Sequence, residues 1–292
     1  MAESSPEPKD EILPTRGFAE TWHMFMANRA ALLGLILWTF VMVVAFIGPL
    51  LYPLNPFDMA GAPMTPPGRE FPLGTDYLGR DVLAGIVQWA RVTLFIGFSA
   101  TAFTVIIGIL IGVFAGFYGK WVETALMRVT EFFQGLPALL LSMALIALFS
   151  PSLGTIIIGI GIVNWPPVAR LARAEFLRLK GLEFVMAERA IGAQNRRIMW
   201  RIILPNSLPP LIVASTLSIA SAILFEASLS FLGLGDPNMF SWGYMIGASR
   251  DYIWDTWWVV TFSGLAIFFT VLSISLIGDG LNDALNPKLR LQ

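Results

Sequence analysis

Glu226 is the ionisable side chain placed most unusually in this sequence, about twenty residues into an apolar stretch and inside LFEASLSFLG. A carboxyl group at that depth is costly unless it meets protein or water. Two readings fit it: a group on a solute pathway, or a hydrogen bond to a neighbouring subunit or to Ser228. Asp279 and Asp283 lie four apart on one helical face near the end of the last apolar stretch, where helix termination or subunit packing is the preferred role. The single histidine, His23, precedes the first apolar stretch, so neither a zinc-binding histidine pair nor a Ser/His dyad can be built inside a membrane. The absence of cysteine removes disulfides, thiolate nucleophiles and thiolate metal sites. Neither GxxxxGK[ST] nor HExxH occurs, so no phosphate-binding loop and no zinc-peptidase helix are expected. No aspartate pair lies mid-membrane, which opposes an intramembrane hydrolase.

The longest charged helical segment runs from Glu183 to Pro205, EFVMAERAIGAQNRRIMWRIILP. Its first part carries Glu183, Glu188 and Arg189, then comes Gly192, then Arg196, Arg197 and Arg201 opposite Ile198, Met199, Ile202 and Ile203. This reads as helix, turn, helix, with Gly192 free to adopt φ > 0 and reverse the chain, and with Pro205 closing the second helix. On physical grounds alone an Arg-rich connector on the cytosolic side and a partner-docking element are equally good readings.

The elements that must hold these residues are membrane helices. Of the 292 residues 56% are hydrophobic and 13% charged, about half the charged fraction of a soluble domain. The net charge of −1 implies no attraction to nucleic acid. Residues 1–29 read as a proline-rich, acidic tail, unlike a signal peptide, followed by an interfacial helix with Phe18, Trp22, Phe25 and Met26 opposite Glu20 and Asn28. Six crossings are expected, at 30–51, 92–118, 132–150, 154–169, 206–232 and 257–278; the first is uncharged and about 33 Å long as a helix. Pro151 and Gly154 separate the third from the fourth, which ends at Pro166 and Pro167. Between the crossings lie an external segment 52–91, a cytoplasmic loop 170–205, an external loop 233–256 and a cytoplasmic end 279–292. In 52–91, Thr75 or Asp76 is expected to cap a helix bearing Val82, Leu83, Ile86 and Val87. Gly108, Gly112 and Gly116 mark a close-packing face on the second crossing. Trp242, Trp254, Trp257 and Trp258 read as interface anchors, with contact to solute the lesser alternative. With both ends cytoplasmic, fifteen of the nineteen basic residues fall inside and only Arg69, Arg80, Arg91 and Arg250 outside, as the positive-inside bias requires.

The spacing Gly192, nine residues, then Ile202, Leu204 and Pro205 resembles the EAA loop of ATP-binding-cassette importer permeases. LGTD, LGRDVL, GFYGKW, NWPPVARLARAE, LPNSLPPLIV, EASLSFLGLG and LIGDGLNDALNP resemble, in the same order, the dipeptide, oligopeptide and nickel branch, C-type. Two departures are visible. Met186 stands where the family has its leading glutamate, and the loop DPNMFSWG after Gly235 is short. The resemblance implies an all-α membrane fold with six transmembrane helices, a type I importer permease, in a bacterial inner membrane. It implies a homologous second permease subunit, two ATP-binding subunits, an external solute-binding protein and a lipid surround. ATP and Mg would be bound by the partner ATPases and no cofactor by this chain, itself no enzyme. Carried onto this sequence, the ATPase-coupling residues are Glu183, Met186, Ala187, Glu188, Ala190, Gly192, Ala193, Leu204 and Pro205, with Glu188 favoured over Glu183 as the acid that replaces Met186. Glu226 is the candidate pathway residue. The solute is expected to be a peptide or a similar small molecule. The rival, a stand-alone secondary transporter, predicts broken helices in two matching halves and paired intramembrane charges, and the sequence has neither.

Overall fold

The computed structural model describes residues 18–285; the tail before Phe18 and the basic residues Lys288 and Arg290 lie outside the described residues. Among the described residues the regular elements are helices, with only two isolated β-bridges, Met59 to Arg80 and Thr75 to Asp81. α1 (Phe18–Ala27) leads into α2 (Arg29–Phe46) and the single turn α3 (Gly48–Leu51). Asn28 separates the first two and caps α2, its Oδ1 accepting from the Ala30 and Ala31 amides at 2.9 and 3.2 Å. Its Nδ2 donates to Asp283 at 2.9 Å, so Asp283 ties the end of the last helix to the start of α2 within this chain.

α4 (Val82–Tyr118) is 37 residues long, about 55 Å at the helical rise, well beyond a hydrocarbon core of about 30 Å. The second crossing therefore begins earlier than expected and absorbs the helix anticipated before it. Its cap is Asp81, accepting from Leu83 and Ala84 at 2.8 and 3.2 Å, and not Thr75 or Asp76. Those two are engaged in the preceding turns: Thr75 Oγ1 donates to the Ala62 carbonyl at 2.7 Å, and Asp76 accepts the Leu78 and Arg80 amides, each at 2.8 Å. Burial raises the Asp76 carboxyl above its ordinary pKa, and the hydrogen bonds from Arg80 and Leu78 oppose that shift.

α5 (Lys120–Gly135) and α6 (Ala138–Phe149) meet at a bend of 88°. Pro137 holds Leu136 extended at φ −95°, ψ 138°, the conformation forced on a residue before proline. The stretch 132–150 is thus the end of one helix and a second of 12 residues, about 18 Å, which cannot cross unaided. Five helices are long and apolar enough to cross, and six if the bent pair counts as one.

α7 (Leu153–Lys180) runs straight through Pro166 and Pro167, so the fourth crossing does not end at the prolines. α4 closes on it through the three glycines. A Cβ at Gly108 would stand 2.7 Å from Val168 Cβ, at Gly112 2.6 Å from Ala172 Cβ and at Gly116 2.6 Å from Phe176 Cβ. Only hydrogen fits between these helices.

α8 (Glu183–Ala190) is followed by the short α9 (Asn195–Arg197), a π-helical stretch (Ile198–Ile203) and α10 (Leu204–Leu229), which form one rod that continues into a second π stretch (Ser230–Leu234) and breaks at Gly233, φ +87°. Pro205 therefore opens α10 instead of closing a helix. Proline lacks an amide, so inside this continuous helix it leaves a carbonyl of the preceding turn without its usual partner. The loosened carbonyls nearby take side-chain donors, Asn206 Nδ2 on Ile202 and Ser207 Oγ on Leu204. α11 (Trp242–Ala248), a 3₁₀ turn (Arg250–Tyr252) and α12 (Trp257–Leu285) complete the chain.

α4 and α7 run parallel, the bent pair α5 and α6 returning the chain between them, and α12 runs the same way, whereas α2 and α10 run in the opposite direction. One end of the bundle gathers α1, α8 and the last turns of α4, α7 and α12; the other gathers residues 47–81, α11 and residues 230–256. Large apolar side chains such as Ile36, Phe40, Ile106, Leu140 and Phe268 remain exposed around the bundle, a surface suited to lipid and not to water.

Candidate functional site

α8 touches the bundle with one side. Val185 is fully buried in a cluster with Val113, Phe117, Phe176, Ile198 and Ile203, so the ends of α4, α7 and the α9 region all grip it. On the opposite face Glu183, Met186, Ala187 and Ala190 recur at i, i+3, i+4 and i+7 and all are exposed. Met186 is 52% and Ile191 78% exposed, with Leu182 and Phe184 also uncovered. A polar loop presenting four large apolar groups around two alanines is built to be covered.

The turn after α8 is closed by Gly192 at φ +85°. The Gly192 amide donates to Arg189 at 3.0 Å and the Ala193 amide to Glu188 at 3.0 Å, the paired bonds of a Schellman helix end. Nothing lies within 4 Å of a Cβ built on Gly192. The position therefore demands glycine for its backbone conformation and not for lack of space. Ala193 packs against the buried cluster, fixing the chain before it turns into α9. Leu204 and Pro205 sit at the start of α10, remote in sequence but on the same rod as Ile198 and Ile203.

The two glutamates differ. Glu188 is half-buried and turned toward Arg197, 3.9 Å away, whereas Glu183 is exposed and makes no ion pair among the described residues. Glu183 thus shares the open face, and Glu188 is turned toward the loop's own arginine. Arg173 and Glu123 form a further ion pair that ties α7 to α5.

Glu226 makes its hydrogen bonds within this chain, to serines other than Ser228. It is 1% exposed, and its Oε1 accepts from Ser230 Oγ at 2.7 Å and Ser241 Oγ at 2.6 Å. Ser228 instead bonds the Leu224 carbonyl in its own helix. Ser241 in turn caps α11 by accepting the Tyr244 amide at 3.0 Å, so the carboxyl pins α11 onto α10 inside this chain. Ser230 is legible as the residue four after Glu226, and Ser241 only as the cap of a Ser-x-x-Tyr turn. The opening after α10 is closed further by Asp236, which accepts the Leu153 amide at 2.8 Å.

Trp242 and Trp258 are likewise not interface anchors. They are buried, their indoles donating to Ile86 O at 2.9 Å and Thr75 O at 3.0 Å. Trp254 and Trp257 are exposed. Within the bundle a cavity of about 180 Å³ between α4, α7 and α10 is lined by Thr104, Asn164, Ser218 and Ser221 and by the apolar Ile160, Pro167, Val168 and Ala222. The Asn164 amide donates to the Ile160 carbonyl at 2.8 Å, leaving its oxygen available to a polar solute.

Comparison with known proteins agrees with this architecture. Residues 18–67 match the N-terminal transmembrane domain of oligopeptide transport permease C. The chain is 42% identical over 295 residues to the di/tripeptide transport system permease protein DppC of Pseudomonas aeruginosa, covering 98% of this chain and 97% of that protein. It is 39% identical over 293 residues to the dipeptide transport system permease protein DppC of Alkalihalophilus pseudofirmus, covering 98% and 95%. Among solved structures, an inward-facing form of the MetNI methionine ABC transporter aligns with TM-score 0.56 at 21% identity, over 67% of this chain and 94% of that one, a likeness of fold. Residues 108–291, well over half of the chain, match the binding-protein-dependent transport system inner membrane component, and the chain belongs to that family.

Proposed function

We propose that this chain is one of two permease subunits of an ATP-driven peptide importer and that it engages a separate ATPase through the exposed face of α8. The reading rests on one observation above all. α8 offers Glu183, Met186, Ala187 and Ala190 outward while Val185 locks it to the ends of α4, α7 and the α10 rod. A push on such an element is delivered to three crossing helices at once. ATP and Mg bind the partner ATPases, a homologous permease completes the pathway, and an external solute-binding protein delivers the solute. The α8 end is cytoplasmic, in accord with the arginines concentrated there. Short peptides are the favoured solute because the relatives named above carry dipeptides and tripeptides in their names. The polar cavity at Asn164 replaces Glu226 as the stretch of pathway contributed by this subunit.

The test is peptide-stimulated ATP hydrolysis by the assembly reconstituted in liposomes with its binding protein. Gly192→Val puts a β-branched residue at φ +85°, a conformation costing about 1–2 kcal/mol even for an unbranched residue, so coupling should fall several-fold. Glu183→Gln removes one member of a charge pair at the docked interface, typically about 2–5 kcal/mol, and should lower stimulated hydrolysis at least tenfold. Glu188→Gln should act more weakly, through the loop alone. If Gly192→Val and Glu183→Gln both hydrolyse ATP like the parent, α8 is not the coupling element.

A further inference from the structure

Beside α8, but on another side of the rod, lies an open pocket of about 550 Å³ lined by Gln194, Arg196, Arg197, Trp200 and Arg201. The π-helical stretch that begins at Ile198 winds wider than an α-helix, with i to i+5 bonding. An i to i+5 spacing relates Arg196 to Arg201, and with Arg197 they line this one pocket. Arg196 and Arg201 have no hydrogen bond or ion pair among the described residues, and Arg197 has only the 3.9 Å approach of Glu188. Three cations with one distant carboxylate leave a strong unmet demand for an anion, and guanidinium favours a planar or tetrahedral oxyanion that takes forked donors.

What surrounds the pocket identifies the anion further. Trp200 stands at its inner wall in edge contact with Phe114, their rings 6.3 Å apart. From Phe114 an exposed apolar ladder leads away along α4 through Leu110 and Ile106. From Arg201 a second exposed strip, Leu208 and Ile212, leads the same way along α10. A cationic pocket, then an indole, then two uncovered hydrocarbon strips is the profile of an amphiphile lying along the bundle, head at the membrane surface and tails in the core.

We infer that the Arg196, Arg197 and Arg201 pocket binds the phosphate headgroup of an anionic phospholipid in the leaflet on the α8 side, with the acyl chains against Phe114, Leu110 and Leu208. The inference needs only that the chain crosses a membrane, and it stands whether or not α8 is the coupling element.

The experiment uses the assembled transporter in nanodiscs and compares tryptophan quenching by brominated phosphatidylglycerol with quenching by brominated phosphatidylcholine, taking the difference between parent and Trp200→Phe to isolate Trp200. Phosphatidylglycerol should quench that component at a several-fold lower mole fraction. Arg196→Gln with Arg201→Gln should abolish the preference, and Arg196→Lys with Arg201→Lys should restore most of it, because the lysines keep the charge. Equal quenching by the two lipids, or a preference that survives the double glutamine variant, overturns the proposal. So does full relief of the preference by millimolar inorganic phosphate, which would assign the pocket to free phosphate. Finally, a Trp200 that neither lipid reaches but that the ATPase subunits shield would assign it to the protein partner.

Discussion

Glu226 meets two hydroxyl donors with a single oxygen, and only one of them is its neighbour in the helical repeat that the sequence displays. Ser230 follows it by one turn, but Ser241 comes from the far side of a loop. Replacing the carboxyl by leucine leaves two buried hydroxyls without their acceptor, at about 1–3 kcal/mol each. Glutamine keeps an amide oxygen in the same place. Glu226→Leu should therefore lower the melting temperature of the detergent-solubilised protein by several degrees and release α11, while Glu226→Gln stays near the parent. Measurement by thermal unfolding decides it, and a stable Glu226→Leu would remove the structural role. Gly192 contrasts with Glu226, because its left-handed backbone was readable from a glycine between two amphipathic runs, a requirement local to a few residues.

At the scale of elements, the contact between α4 and α7 depends on the absence of side chains at three successive turns. Gly112→Ala places a Cβ 2.6 Å from that of Ala172, so the helices must separate, at about 1–3 kcal/mol. Gly135→Ala in α5, with nothing within 4 Å of the new atom, is the matched control and should be silent in the same unfolding assay. The junction of α3 with α4 carries a pH-dependent contact, Tyr52 hydroxyl to Asp81 Oδ2 at 2.6 Å. Burial first, then the hydrogen bond and charge of Asp81, push the Tyr52 phenol up from 10.0 to about 12. A pKa raised by folding means the stabilisation is whole below the ordinary value and is lost as pH climbs through the raised one. The parent should thus exceed Tyr52→Phe in stability at neutral pH, with the gap closing between pH 10.0 and about 12. A gap that persists unchanged above that range would show the contact to be unimportant.

For the whole molecule, helix directions put α8 and both ends of the described chain at one end of the bundle and α11 with residues 47–81 at the other. Single cysteines are easily introduced in a chain that has none. Glu70→Cys and Met239→Cys, both exposed, should react with an impermeant thiol reagent in intact cells, whereas Arg128→Cys and Arg189→Cys should react only after lysis. Phe240 and Gly61 are poor choices, the first being buried and the second packed against the Phe71 ring. Reaction of Arg189→Cys in intact cells would invert the proposed orientation and move the anionic-lipid pocket to the other leaflet.

The sequence by itself determined what depends on composition and on neighbours along the chain. Hydrocarbon runs of spanning length, the bias of arginine, the glycine ladder of α4 and the reversal at Gly192 each follow from residues within a turn or two of one another. Proline misled because a helix can run through it: α7 continues past Pro166 and Pro167, and Pro205 sits in the first turn of α10, where Asn206 and Ser207 bond nearby carbonyls. Tertiary structure alone decided the fate of the buried polar groups. That Glu226 meets Ser241 and that Trp242 lies in a core depended on segments 15 to 156 residues away, and that Glu188 turns toward Arg197 depended on a chain reversal nine residues long. No periodicity encodes such pairings, because each is set when separate helices pack and a buried donor or acceptor takes whatever partner the packing brings.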